Sequence, residues 1–301
     1  MSKIIIYLSL VFLVVFLYQK GWTTIPRIED YSALVLSFVL LCFGFVLQGF
    51  SWHVILRLKK VPVSFPVAYE SFSMTIFGKY IPGKIWVLVG PASYVKKEIG
   101  SHGKSYTNFA GQLQIINILV GLLIGLLSFQ EMVSQEKIYI FLGLMSVVFL
   151  AMDRHLLSKL LGKIKSEKLH AILDNNFLSF WEKLIVMMVT GVRWSAWIVA
   201  FALLVYALDG KTMGLEIGFF FAFAGVVGVM ALFAPGGLGV REGILTAMLV
   251  GYGLSVEFAT AVAIASRVWF LGGEVFAFSS GMLVKALRQR KIRGRKEEAV
   301  Q

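Results

Sequence analysis

Ten residues in the last third of the chain most limit what it can fold into. Ala234-Pro235-Gly236-Gly237-Leu238-Gly239-Val240-Arg241-Glu242-Gly243 interrupts apolar sequence, with residues 219–233 before it and 244–250 after it. A helix does not pass smoothly through such a run, because proline removes a backbone donor and glycine lowers the cost of non-helical backbone. In hydrocarbon, the freed backbone groups must find partners or line a wet cavity. Charge is expensive there too, about 2.5–3.5 kcal/mol for an Arg or an Asp on insertion scales. Broken backbone beside Arg241 and Glu242 therefore marks a site rather than a plain membrane anchor.

The rest of the chain supplies the membrane context. Its mean hydropathy is +0.79, 58% of its 301 residues are hydrophobic, and several segments are long enough to cross a bilayer. The apolar segments run over 4–19, 31–56, 67–95, 106–129, 138–152, 184–208, 216–250 and 258–284. Residues 4–17 follow a single lysine and carry no small-residue cleavage pattern, so they read as a retained first span. The net charge of +12 does not indicate nucleic acid, since the positive residues cluster at segment ends. The one cysteine, Cys42, excludes an intrachain disulfide.

Lysine and arginine placement orients the segments. The end of the chain holds Lys285, Arg288, Arg290, Lys291, Arg293, Arg295 and Lys296, so it is expected in the cytoplasm, as is the N-terminus. Arg57, Lys59 and Lys60 are basic as well, and so are Lys96 and Lys97. Both groups want the same side, so the segment between them must enter and leave on one face. It is broken near its middle by Gly78-Lys79-Tyr80-Ile81-Pro82-Gly83-Lys84. The same parity applies to 216–250, which starts and ends on the opposite face and is broken at Pro235, Gly236, Gly237 and Gly239. The expected fold is all-α and polytopic: about six full spans plus two re-entrant hairpins broken at Pro-Gly, entering from opposite faces as in an inverted repeat. Eight ordinary spans are the alternative. Residues 1–284 form a single transmembrane domain and 285–301 a basic cytoplasmic tail.

Several charges stand inside these segments. Arg267 and Glu274 are seven positions apart, two helical turns, and share a face that Gly281 continues. They read either as an inward pair lining a polar path or as a structural ion pair. Arg193 stands ten residues beyond Lys183, about 15 Å along a helix; it lies near the bilayer centre or snorkels to the surface. Glu70 lies in the first arm of the first hairpin, and Lys79 and Lys84 flank its break. Lys79, Lys84, Arg193, Arg241 and Arg267 thus outnumber Glu70, Glu242 and Glu274, and a buried positive surplus suits an anionic ligand such as a phosphate headgroup. Asn108, Gln112, Gln114 and Asn117 form a polar stretch that continues into the Gly121–Gly125 pair, which reads as close helix packing with the amides lining a cavity.

No metal-binding pattern, P-loop or nucleophile elbow occurs. No cofactor and no metal are expected, and enzyme activity is not. The expected partners are membrane lipids with an anionic headgroup. An envelope-biosynthesis enzyme or a second copy of the chain remains open as a further partner.

The stretches Lys79-Tyr80-Ile81-Pro82-Gly83-Lys84 and Ala234 to Gly243, with Ala265-Ser266-Arg267-Val268-Trp269 after them, resemble the flippase-like membrane domain of the lysylphosphatidylglycerol synthetase family. That domain also occurs as stand-alone proteins. The first stretch departs from the common form, because Trp86 stands where a glycine is usual. The resemblance implies a multi-pass protein of the cytoplasmic membrane that translocates a phospholipid or a polyprenyl-phosphate-linked lipid. With no synthetase domain present, it implies no synthesis of the lipid. On this reading Arg241 and Arg267 pair with the phosphate, Glu242 and Glu274 hold those arginines, and the two halves rock about the site. A non-transporting partner of an envelope glycosyltransferase system and a membrane-embedded headgroup transferase are the alternatives.

Overall fold

The computed structural model describes residues 27–81, 85–100, 105–126, 177–211, 214–231 and 234–298, with six further residues between 139 and 147, all helical. The expected span 4–19 and the residues Pro82, Gly83 and Lys84 lie outside the described residues. Among the described residues every regular element is a helix. These are α1 (Tyr31–Leu58), α2 (Phe65–Ser73), α3 (Trp86–Ile99), α4 (Tyr106–Leu126), α5 (Phe180–Asp209), α6 (Leu215–Met230), α7 (Val240–Gly251) and α8 (Val256–Glu298). Short 3₁₀ turns at Ile76–Tyr80 and Pro235–Gly237 interrupt the chain between α2 and α3 and between α6 and α7.

Local chemistry sets the helix ends. Asp30 caps α1, its carboxylate accepting from the Ala33 N–H at 3.0 Å and the Ser32 hydroxyl at 2.5 Å. The Ser32 hydroxyl, and after it the Ala33 N–H, hold that carboxyl below its ordinary range. Ser179 and Glu182 form a reciprocal capping box at the start of α5, and Gly210 ends that helix in the left-handed conformation at φ 67°. Ser64 and Pro66 open α2.

Among the described residues four helices, α1, α4, α5 and α8, are long and apolar enough to cross a membrane. The expected segments 67–95 and 216–250 each divide into two helices. At 1.5 Å per residue, the four arms α2, α3, α6 and α7 run about 14, 21, 24 and 18 Å, all short of a hydrocarbon core of about 30 Å. Within each pair the arms pack on one another, α2 on α3 and α6 on α7, so they are hairpins. The expected tail is no separate element: α8 continues without a break to Glu298.

The most extensive packing joins α1 to α5, and the two run antiparallel. Glu29 N–H donates to the Ala207 carbonyl at 2.8 Å, Ser37 Oγ to the Ala200 carbonyl at 2.6 Å, and Trp197 Nε1 to the Leu41 carbonyl at 3.2 Å. At the far end Lys59 pairs with Glu182 at 2.7 Å. The first hairpin therefore starts at the Lys59 end of this pair and the second at the Asp209 end. Exchanging α1–α4 for α5–α8 maps the α1–α5 pair onto itself and each other packed pair of these helices onto a packed pair: α2 on α8 matches α6 on α4, and α3 on α4 matches α7 on α8. The 3₁₀ turns of the two hairpins touch each other at the centre. An inverted repeat predicts this arrangement.

Candidate functional site

The site is built where the two breaks meet. Gly236 and Gly237 have φ of 60° and 72°, the left-handed region that glycine enters freely. Side chains are excluded there on spatial grounds as well. A Cβ on Gly236 would lie 2.6 Å from the Tyr80 ring, and one on Gly237 would lie 2.8 Å from the Gly228 carbonyl oxygen. The freed Gly236 carbonyl accepts from Arg267 Nη2 at 2.9 Å. Glu242 Oε2 accepts from the Gly239 N–H at 2.7 Å and so satisfies a donor at the start of α7. The other Glu242 oxygen stands 3.7 Å from Arg267 Nη1.

The first break is held from the same helix. Lys79 forms an ion pair with Glu274, and the Tyr80 hydroxyl donates to Glu274 Oε2 at 2.8 Å. Thus α8 reaches both breaks, Arg267 the second and Glu274 the first. The two share a face, as their spacing predicts. They serve different partners, which corrects the expectation that Glu274 holds an arginine.

Beside the breaks lies a cavity of about 680 Å³ lined, among the described residues, by four cations, Lys79, Arg193, Arg241 and Arg267, and by no acidic residue. Arg241 is buried, with its guanidinium 4.6 Å from the centre of the Phe221 ring and 4.9 Å from that of Phe270. Its Nε and Nη2 have no hydrogen-bond partner. Arg193 stands near the middle of α5, 2% exposed, and does not snorkel. It donates to Asn117 Oδ1 and lies 4.5 Å from the centre of the Trp197 ring. Thr190, one turn earlier, lines the cavity with a buried hydroxyl that has no partner.

Glu70 is not among the cavity's lining residues. It is fully buried and accepts two hydrogen bonds from Arg288, through Nε and Nη2, each at 2.8 Å. The Tyr94 hydroxyl donates to it at 3.0 Å, and Arg288 also reaches Glu98 at 2.8 Å. This network ties α2 and α3 to the end of α8. Of the amides, Gln114 and Asn117 line the cavity, whereas Gln112 accepts from the Leu178 N–H at 2.8 Å. Gly121 and Gly125 are packing positions: a Cβ would strike Val226 and Trp194 at the first and Phe223 at the second.

Sequence reasoning missed Tyr80, Thr190 and the aromatic wall of Trp197, Phe221 and Phe270. Tyr80 adjoins Lys79, and Trp197 stands one turn after Arg193, so proximity to a membrane charge is the signal that finds them. Among the described residues, no group of three or more His, Cys, Asp or Glu side chains is placed to hold a metal ion.

The family model described as lysylphosphatidylglycerol synthase TM region matches residues 2–271. No curated protein and no solved structure matches the chain. The chain belongs to the lysylphosphatidylglycerol synthase TM region family of membrane proteins.

Proposed function

We propose that this member of the family translocates an anionic lipid, a phospholipid or a polyprenyl-phosphate-linked lipid, across the cytoplasmic membrane, with both termini in the cytoplasm and without bond-making chemistry of its own. The observation that carries the reading is the open Nε and Nη2 edge of Arg241 in a cavity lined by cations. Buried polar groups are normally satisfied, and an arginine left open in a membrane protein marks a ligand path. The lipid phosphate takes that edge as a bidentate acceptor. Lys79 and Arg267 add positive potential while Glu274 and Glu242 fix their positions.

The shape of the cavity supports the same reading. Ile85, Val229 and Met230 line it and are also exposed, so it reaches the surface beside both hairpins. A headgroup can enter there while its apolar tail stays in lipid. The contact pattern, in which each hairpin packs on the opposite half, suits rocking of one half against the other.

Liposome reconstitution tests this. Wild-type protein is expected to move a labelled anionic lipid between leaflets, and Arg241→Ala to lose that movement while unfolding at a similar temperature in detergent. Normal movement by folded Arg241→Ala would sink the reading. Lipid binding without movement would favour a partner role in an envelope-biosynthesis system.

A further inference from the structure

Counting charges in the cavity narrows the headgroup. Among the described residues, four cations line the cavity and two carboxylates stand beside it. Glu274 pairs with Lys79 and Glu242 with Arg267. Arg193 and Arg241 are left, each buried and, among the described residues, neither within 4 Å of a carboxylate oxygen. They line one cavity and share an aromatic wall: Arg193 faces Trp197, the Trp197 and Phe270 rings are 5.2 Å apart, and Phe270 faces Arg241.

Unsatisfied polar atoms accompany both arginines, those of Arg241 its own and the one near Arg193 that of Thr190. Arg241 presents its Nε and Nη2. Arg288 uses those same two atoms to grip the Glu70 carboxylate elsewhere in the chain. Beside Arg193, the buried Thr190 hydroxyl is without a partner. Buried charges must be compensated, because a lone ion in a low-dielectric site carries a desolvation penalty of several kcal/mol.

We infer that the site selects a headgroup carrying two negative charges, a phosphomonoester or a diphosphate, over singly charged phosphodiesters and over zwitterionic or cationic headgroups. The assignment rests on the reading of the cavity as a lipid-headgroup site. One phosphate edge lies on Arg241. The remaining negative charge faces Arg193 and Thr190. A phosphodiester such as phosphatidylglycerol leaves one arginine uncompensated, and an aminoacylated, cationic headgroup adds to the surplus.

The test measures binding of short-chain lipids to the purified protein in detergent at pH 8, well above the second ionisation of a phosphomonoester at about 6. Phosphatidic acid is expected to bind at least about tenfold more tightly than phosphatidylglycerol, the scale of one charge-assisted hydrogen bond. Arg193→Gln should bring that ratio towards one, and Arg193→Lys, which keeps the charge, should preserve it. A short prenyl-diphosphate sugar in a parallel arm, with one negative charge on each phosphate, distinguishes one doubly charged phosphate from two linked ones, and preference for either over phosphatidylglycerol upholds the proposal. Equal affinities for all three in the wild type, or no affinity for any, overturn it. Selective binding with no movement in liposomes would defeat the transport reading and leave this assignment standing. Movement with equal binding would do the reverse.

Discussion

Lys79 and Arg241 line one cavity but are stabilised differently. Lys79 has the Glu274 carboxylate within reach, whereas Arg241 lies over the faces of Phe221 and Phe270. Removing one partner of a buried ion pair costs about 3–5 kcal/mol, while replacing both by apolar groups of similar volume is near neutral. Glu274→Gln is therefore expected to lower the thermal unfolding midpoint in detergent, and the Lys79→Met, Glu274→Gln double variant to recover most of the loss. A double variant no more stable than the single one would show that Lys79 is not the burden. Arg193, Arg241, Arg267 and Glu274 were legible in the sequence because charge in an apolar run is costly wherever the chain places it. Their pairing was not legible. Spacing along one helix makes Arg267 and Glu274 look like partners, but the fold carries a different break to each. Glu70 was misread for a related reason: its partner Arg288 is 218 positions away, in a basic run that reads as a topology signal.

At the scale of elements, each hairpin makes a contact with the opposite half that a single substitution can remove. The first is tied to α8 by Arg288, which bridges Glu70 and Glu98. Arg288→Ala leaves the fully buried Glu70 with Tyr94 as its remaining side-chain partner. A stability loss of about 3–5 kcal/mol is expected from chemical unfolding in detergent, with partial recovery when Glu70→Gln is added. The second hairpin packs α6 on α4 through Gly121 and Gly125. Gly125→Leu forces a side chain into Phe223, and overpacking of this kind costs about 1–3 kcal/mol. A Gly125→Leu protein as stable as wild type would show that the two helices do not depend on that close approach. The hairpins themselves were readable in advance. Pro-Gly breaks and the parity of basic ends are backbone and charge properties, and both survive folding unchanged. The continuation of α8 through 285–298 was not readable, since a lysine- and arginine-rich run signals topology whether or not it is helical.

Across the whole molecule, exchange of the two halves preserves the helix packing, and the breaks meet where the halves join. Each hairpin rests on the long helix of the other half at glycine. Gly281 of α8 faces Ser73 of α2, and Gly121 and Gly125 of α4 face Val226 and Phe223 of α6. Gly281→Leu is expected to slow lipid movement in liposomes more than it weakens lipid binding in detergent, and equal effects on the two would argue against a role in motion. Side chains that interlock must change rotamer before helices can shear past one another, whereas backbone carries nothing to disengage. On the proposed rocking mechanism the two glycine surfaces serve as plain bearings, and the α1–α5 pair as the fixed frame in which they turn. Such motion leaves the α1–α5 packing intact, so the protein can be rigid in its frame and mobile at its site.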